Sequence, residues 1–346
     1  MGIFSVISLL GGLSIFLYGM DIMGDGLKSS SSKALKSMLE KVTHSAVLGM
    51  LTGTLVTSVI QSSTATIVLT VGLLSAGILN LRQSISIVMG ANIGTTVTAQ
   101  IIRLMDINSS GAAFIEIFKP STLAPLAVLC GIIFLKFVKS QKTKGIGMML
   151  MGFGILFTGL MGMTEAVSPL SESQAFTDVL QKFSDVPILG ILTGLITTFI
   201  VQSSSAVIGM VQALSSTGAF TFQTVYPLII GINLGTCITT AIVCSIGTDK
   251  DAKRTGIAHI LFNCIGTVLF MAAIPLLHHA GALNFIWGKP MNSGGIANFT
   301  TIFNLVTAVA LLPFTNQLVK LTTLIVKDSP DDTEDFYPEM RTLDEK

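Results

Sequence analysis

The chain is poor in charge: only 11% of its 346 residues are Asp, Glu, Lys or Arg, and the net charge is +1. No basic tract stands out beyond short loops, which argues against nucleic acid as a partner. Aromatic residues make up 7%, with a single Trp. The four cysteines, Cys130, Cys237, Cys244 and Cys264, lie inside apolar runs with no CxxC spacing, so they read as reduced packing residues rather than metal ligands. Enzyme signatures are missing too. The serines have no neighbouring His or carboxylate base, and neither GxSxG nor a GxxxxGK nucleotide loop occurs, so no cofactor and no catalytic residue is expected. The N-terminus has no Lys or Arg before Lys28 and no convincing cleavage site, which favours a retained first helix over a cleaved signal peptide.

Apolar residues are what the chain has in abundance. Half of it is hydrophobic and the mean hydropathy is +0.76, more apolar surface than a chain of this length can hide within itself. A bilayer must cover the rest. A helix needs about 20 apolar residues to cross a hydrocarbon core of roughly 30 Å, and the stretches 3–23, 82–103, 121–138, 145–165, 224–246, 255–278 and 296–325 qualify. Two further regions, 48–76 and 189–216, are each cut near the middle by Gln-Ser-Ser. The arms left over, about 13 residues each, reach only about 20 Å. Such arms suit a re-entrant helical hairpin with the polar knot at its tip, because irregular backbone at that depth must be covered by protein or a watery cavity.

The hairpins belong to an internal repeat. Residues 48–102 slide onto 189–243 without a gap, and about twenty of roughly fifty-five positions are identical. LGMLTG matches LGILTG, IQSSTA matches VQSSSA, and GANIGTTVT matches GINLGTCIT; upstream, GGLSIFLYGMDIM resembles MGFGILFTGLMGM. The expected units are therefore 1–140 (hairpin 48–76, span 82–103) and 141–280 (hairpin 189–216, span 224–246). A C-terminal span 281–326 and an acidic tail 327–346, too short to be a domain, complete the chain. With three full spans between equivalent helices, the second unit is inverted. The basic residues sort accordingly: Lys28, Lys33, Lys36, Lys41, Arg82, Lys136, Lys139, Lys142, Lys144, Lys250, Lys253 and Arg254 on one side, but only Arg103, Lys119, Lys182 and Lys289 on the other. The positive-inside rule then puts the N-terminus outside and the C-terminus inside.

Inverted repeats with interruptions at matching positions point to a secondary transporter with a mid-membrane site. GANIGTT and GINLGTC are the expected interruptions, since Gly, Asn and Thr weaken a helix and free backbone groups for a ligand. The alternative is that these small residues permit close helix packing.

At this point the sequence resembles a known family. QSSTA with GANIGTT, QSSSA with GINLGTC, and the FN pairs in IAHILFN and TTIFN are similar to bacterial members of the type II sodium-phosphate cotransporter family, over essentially residues 3–325. The resemblance implies an all-α integral membrane protein. Each of its two inverted-topology repeats would carry a re-entrant hairpin with a QSS tip and a broken transmembrane helix, and the hairpins would move elevator-fashion against a scaffold. It also implies that phosphate and sodium bind where the QSS tips meet the broken helices, bringing in Asn92, Thr95, Asn233 and Thr236 as phosphate ligands. The family pattern favours His where this chain has Thr300, and many relatives continue into a cytoplasmic helical domain.

The chemistry agrees with that reading. A hydroxyl-rich tip at a helix start offers N–H groups and the positive dipole end to an anion. Ser62, Ser63, Ser203, Ser204 and Ser205 can donate to phosphate oxygens, while Gln61, Thr64, Gln202 and Thr239 can ligate sodium. No Asp or Glu lies between Leu48 and Ile102 or between Leu189 and Val243, so the carboxylate relays of proton-coupled carriers are missing there. Arg103 reads as a helix-end anchor and His259 as a packing histidine. The expected function is sodium-coupled symport of inorganic phosphate across the cytoplasmic membrane, with a sodium-linked exporter or an anion channel as alternatives. The partners are phosphate, sodium ions and the lipid bilayer, with homo-oligomerisation left open.

Overall fold

The computed structural model describes residues 3–40, 45–106, 119–245 and 250–327. The acidic tail beyond Lys327 and Lys41 lie outside them. Regular structure among the described residues is helical, without strands, and seven helical stretches are long and apolar enough to cross a membrane. Large apolar side chains face outward along them, among them Phe137 (79% exposed) and Val268 (70%), as expected of a lipid-facing surface. Cys237 and Cys244 are buried packing residues, whereas Cys130 and Cys264 lie exposed on their helices.

The first helix, α1 (Ile3–Glu40), is about 57 Å long at 1.5 Å per residue and so extends past the span read from the sequence. It packs along α6 (Gln141–Val167) through glycines: Gly12 lies against Gly159, Gly19 against Gly152 and Gly26 against Gly145. As one number rises the other falls, so the helices are antiparallel. A Cβ at Gly19 would stand 2.3 Å from the backbone of Leu156, which explains why small residues recur along this seam.

Both QSS segments turn the chain. α2 (Ala46–Ile60) ends at Gln61 (φ 59°) and α3 (Ser63–Ser75) begins after extended Ser62 (φ −148°). Across the turn Thr57 Oγ1 donates to Thr66 Oγ1 at 2.9 Å. Nine residues along an uninterrupted helix would separate them by about 13.5 Å, so the chain doubles back. The second copy has the same dihedrals: α8 (Pro187–Val201) ends at Gln202 (φ 56°) and α9 (Ser204–Leu214) follows Ser203 (φ −143°).

One expectation fails. α4 (Leu81–Ile102) and α10 (Phe222–Ser245) are continuous helices through GANIGTT and GINLGTC, so spans 82–103 and 224–246 are not broken. The glycines serve close packing instead: a Cβ at Gly90 would lie 1.9 Å from the Met50 carbonyl oxygen, and one at Gly231 would lie 2.0 Å from that of Ile191. Met50 meets Gly90 and Thr57 meets Gly94, so α2 runs parallel to α4; Ile191 against Gly231 and Thr198 against Gly235 repeat this for α8 and α10.

The remaining helices fix the ends. α5 (Pro120–Phe137) packs on α6, with Gly131 against Gly147. The short amphipathic α7 (Gln174–Asp185) precedes α8 and was not anticipated by the hydropathy pattern. α11 (Lys250–His279) leads to α12 (Ser293–Leu311), and a 3-10 turn at Leu312–Phe314, where Pro313 interrupts the pattern, separates α12 from α13 (Thr315–Ile325). Asn298 of α12 touches Arg103 after the end of α4, while Leu311 packs with Ile85 and Met89 near its start. Phe299 meets Phe222 edge-on at 5.6 Å, so α10 begins at the end of the molecule where α4 stops. Basic groups gather at the other end: the Arg254 guanidinium donates to the Val326 carbonyl at 3.0 Å, and Ser30 donates to the Lys142 carbonyl at 3.4 Å.

Candidate functional site

The two turns meet. Gln61, Ser62, Ser63 and Thr64 of one and Gln202, Ser203, Ser204 and Ser205 of the other line a single cavity of about 40 Å³, completed by Thr95 of α4 and Thr236 of α10. That is space for a few water molecules. Residues 141 positions apart along the chain thus share one wall, and none of the lining side chains is charged.

Local folding produces this arrangement. Ser62 and Ser203 cap the second arms, their Oγ atoms accepting from the Ala65 amide (3.2 Å) and the Ala206 amide (3.3 Å). By helix geometry the next amides, those of Ser63, Thr64, Ser204 and Ser205, have no carbonyl to reach within their own arms. The cavity wall therefore combines hydroxyls, amides without a partner in their own arm and two positive helix ends, a donor set suited to an oxyanion, with amide and hydroxyl oxygens for a hard cation. Gln61 and Gln202 hold the left-handed conformation, the two non-glycine residues with positive φ among those described. A Gln there costs backbone energy that a Gly would not, a strain that collects at functional sites.

The copies are not identical. Gln61 donates from Nε2 to the Ser58 carbonyl and accepts at Oε1 from Thr98 Oγ1 at 2.6 Å. Among the described residues Gln202 makes no equivalent bond with Thr239, the counterpart of Thr98. Thr57 pairs with Thr66, but position 207 is Val, and the buried Thr198 hydroxyl has no partner.

Three residues read as ligands are not on the cavity wall. Thr239 lies half-buried one turn beyond Thr236 on α10. Asn92 donates to the Val88 carbonyl (3.0 Å) and accepts from His259 Nε2 (3.1 Å) and Asn263 Nδ2 (3.4 Å) of α11. Asn233 donates to the Ile229 carbonyl (2.8 Å) and accepts from Asn304 Nδ2 (3.2 Å) of α12. These fully buried pairs fasten the motif helices to α11 and α12. Sequence reasoning missed the pairing, although the signal was there: His259-x3-Asn263 in IAHILFN and Thr300-x3-Asn304 in FTTIFN set an Asn one turn after a polar residue whose carbonyl it bonds. Thr300 itself donates to the Ile296 carbonyl. Gln212 was also missed; 2% exposed, it ties α9 to the Ala99 carbonyl and to Ser293.

Comparison with known proteins bears on this geometry. The profile of the Na+/Pi-cotransporter family matches twice, at residues 15–165 and 162–311. The chain is 29% identical over 312 residues to "Uncharacterized protein YqeW" of Bacillus subtilis (strain 168), covering 90% of this chain and 95% of that one. It is 24% identical over 328 residues to "Putative inorganic phosphate export protein YjbB" of Escherichia coli (strain K12), covering 94% of this chain but 57% of the longer relative. "Sodium-dependent phosphate transport protein 2B" of Homo sapiens is 34% identical over 108 residues, 31% of this chain and 16% of that protein. No solved structure matches. With both halves matching the profile and its apolar helices exposed, the chain is a multi-pass membrane protein and belongs to the Na+/Pi-cotransporter family, a family of transporters.

Proposed function

We propose that this protein carries inorganic phosphate together with sodium ions through the cavity between its two QSS turns. The observation that supports this most is the convergence of Gln61 to Thr64 and Gln202 to Ser205 on one uncharged, donor-rich space. Phosphate is held by Ser62, Ser63, Ser203, Ser204, Ser205, Thr95 and Thr236 and by the helix starts behind them. Sodium takes the oxygens of Gln61, Thr64 and Gln202 and offsets the charge of the anion. Asn92 and Asn233 act here as supports, holding Thr95 and Thr236 at the wall through α11 and α12, and Thr239 has a ligand role only if α10 shifts. The 2B relative carries sodium-dependent phosphate transport in its name, in keeping with this coupling.

Antiparallel α1 and α6, and motif helices that start at opposite ends, support the reading as two inverted repeats with hairpins entering from opposite faces. Moving both turns together past the α1–α6 seam would expose the cavity alternately, the elevator reading. The basic end then faces the cytoplasm across the cytoplasmic membrane. Export is the second reading, favoured by the name of the Escherichia coli relative; it uses the same site and differs in the gradients that drive it.

Binding tests the assignment. Radiolabelled phosphate should bind the purified protein in detergent only with sodium present, and Ser62→Ala and Ser203→Ala should each weaken it. Binding of equal strength in sodium-free buffer would remove the cation from the site.

A further inference from the structure

A second polar cavity, about 460 Å³, opens where α4 stops and α12 begins, lined by Gln100, Arg103, Asp106, Asn292, Gly294 and Asn298 among others. Arg103 is exposed, and its Nη1 donates to Asn298 Oδ1 at 3.1 Å. A guanidinium carries five N–H donors, so most of its capacity is uncommitted among the described residues. The Asp106 carboxylate also lines the cavity and keeps its charge there; it accepts from the Gly294 amide, and no ion pair joins it to Arg103 among the described residues. The next amide of α12, that of Gly295, is held by Asn292 Oδ1 at 2.9 Å. The start of α12 is thus already capped, and among the described lining residues the group that attracts an anion is the guanidinium, beside the Asp106 carboxylate. Gln100 lies beside it, its Nε2 on Thr301 Oγ1 at 2.9 Å.

Position explains its use. Arg103 follows Thr95, a wall residue of the QSS cavity, by eight residues, about 12 Å along the helix. The inner cavity has no charged lining, so an anion bound for it gains from a cation that raises its local concentration at the membrane face where α4 ends. The second repeat has no such cation at the matching position, which is Cys244, buried beneath Gly256. We propose that Arg103, with Gln100 and Asn298, forms a vestibule that captures a phosphate oxyanion from one membrane face only, the face at which α4 ends. This rests on the phosphate-transport reading.

Initial rates of phosphate transport, measured in proteoliposomes of known orientation with each face presented in turn, test it. Arg103→Gln should raise the apparent KM about tenfold from the α4-terminus face and leave the opposite face and the sodium dependence within about twofold, the loss of one charge-assisted contact. Arg103→Lys should recover most of the affinity, and Asp106→Asn should lower KM on that face by removing a repelling charge. A lipid headgroup offers the same phosphoryl oxygens, so the comparison is repeated in galactolipid vesicles, which carry no phosphate. Persistence of the effect there supports capture of free phosphate, and its disappearance overturns it. Equal KM changes from both faces, or none, also overturn the vestibule. Wild-type vesicles that move no phosphate overturn both this and the transport reading.

Discussion

Replacing Gln61 by alanine and, separately, by glycine divides what its side chain does from what its backbone costs. The residue sits at φ 59°, ψ 21°, where Cβ crowding costs an L-residue about 1–2 kcal/mol. Gln61→Ala keeps that cost. Gln61→Gly removes it but gives back about 0.5–1 kcal/mol through the freer unfolded chain, leaving glycine ahead by about 0.5–1 kcal/mol. Both variants lose the bonds to Ser58 and Thr98, about 0.5–1.5 kcal/mol each. Both also lose an oxygen proposed to ligate sodium, about 1.5–3 kcal/mol, or roughly 10- to 100-fold in affinity. Thermal unfolding midpoints and sodium-dependent phosphate affinity are to be measured on the same purified samples. The expected result is equal loss of affinity in the two variants, with the glycine variant melting higher than the alanine variant. Wild-type affinity in the glycine variant would reduce Gln61 to a turn residue, and a glycine variant less stable than alanine would contradict the left-handed turn itself.

Other perturbations follow from the packing. Gly90→Ala and Gly231→Ala drive a Cβ to within 2.0 Å of a carbonyl oxygen and should cost 3 kcal/mol or more by the order of magnitude of overpacking, seen as loss of monodisperse protein; Gly72→Ala, with nothing within 4 Å, should be tolerated. Thr57→Val removes the bond to Thr66 and should destabilise by about 0.5–1 kcal/mol. At the matching position Thr198→Val replaces a buried hydroxyl without a partner and should be neutral or stabilising, so equal melting shifts for the pair would refute the assigned hydrogen bonding. Cysteine substituted at Lys142 should react with a membrane-impermeant reagent from one face and cysteine at Lys182 from the other; labelling of both from the same face would overturn the inverted arrangement.

Hydropathy and the repeat were enough to locate most spans to within about five residues and to mark both QSS turns, because a bilayer imposes a length on apolar helices and tolerates a polar turn only where it is covered; α1, which runs on to Glu40, and the last span, split at Pro313, are the exceptions. What the sequence concealed was the state of the GANIGTT helices. Glycine weakens a helix when it stands alone, but here Gly90 and Gly231 face the carbonyls of Met50 and Ile191, and tertiary contact overrides propensity. The same contact could not be seen from either segment by itself. The partners of Asn92 and Asn233 were hidden for a related reason: a buried Asn is as well satisfied by another helix as by a ligand, and only the structure brings His259, Asn263 and Asn304 to them. α7 was overlooked because its twelve residues are too few to span and its mean hydropathy is low.

Sodium-gradient-driven phosphate flux tests the central claim most directly. Purified protein in sealed proteoliposomes, given radiolabelled phosphate and an inward sodium gradient, should accumulate phosphate above equilibrium, and an equal proton gradient should not substitute. Phosphate entry at the same rate in potassium medium at matched membrane potential would contradict sodium coupling through the QSS cavity.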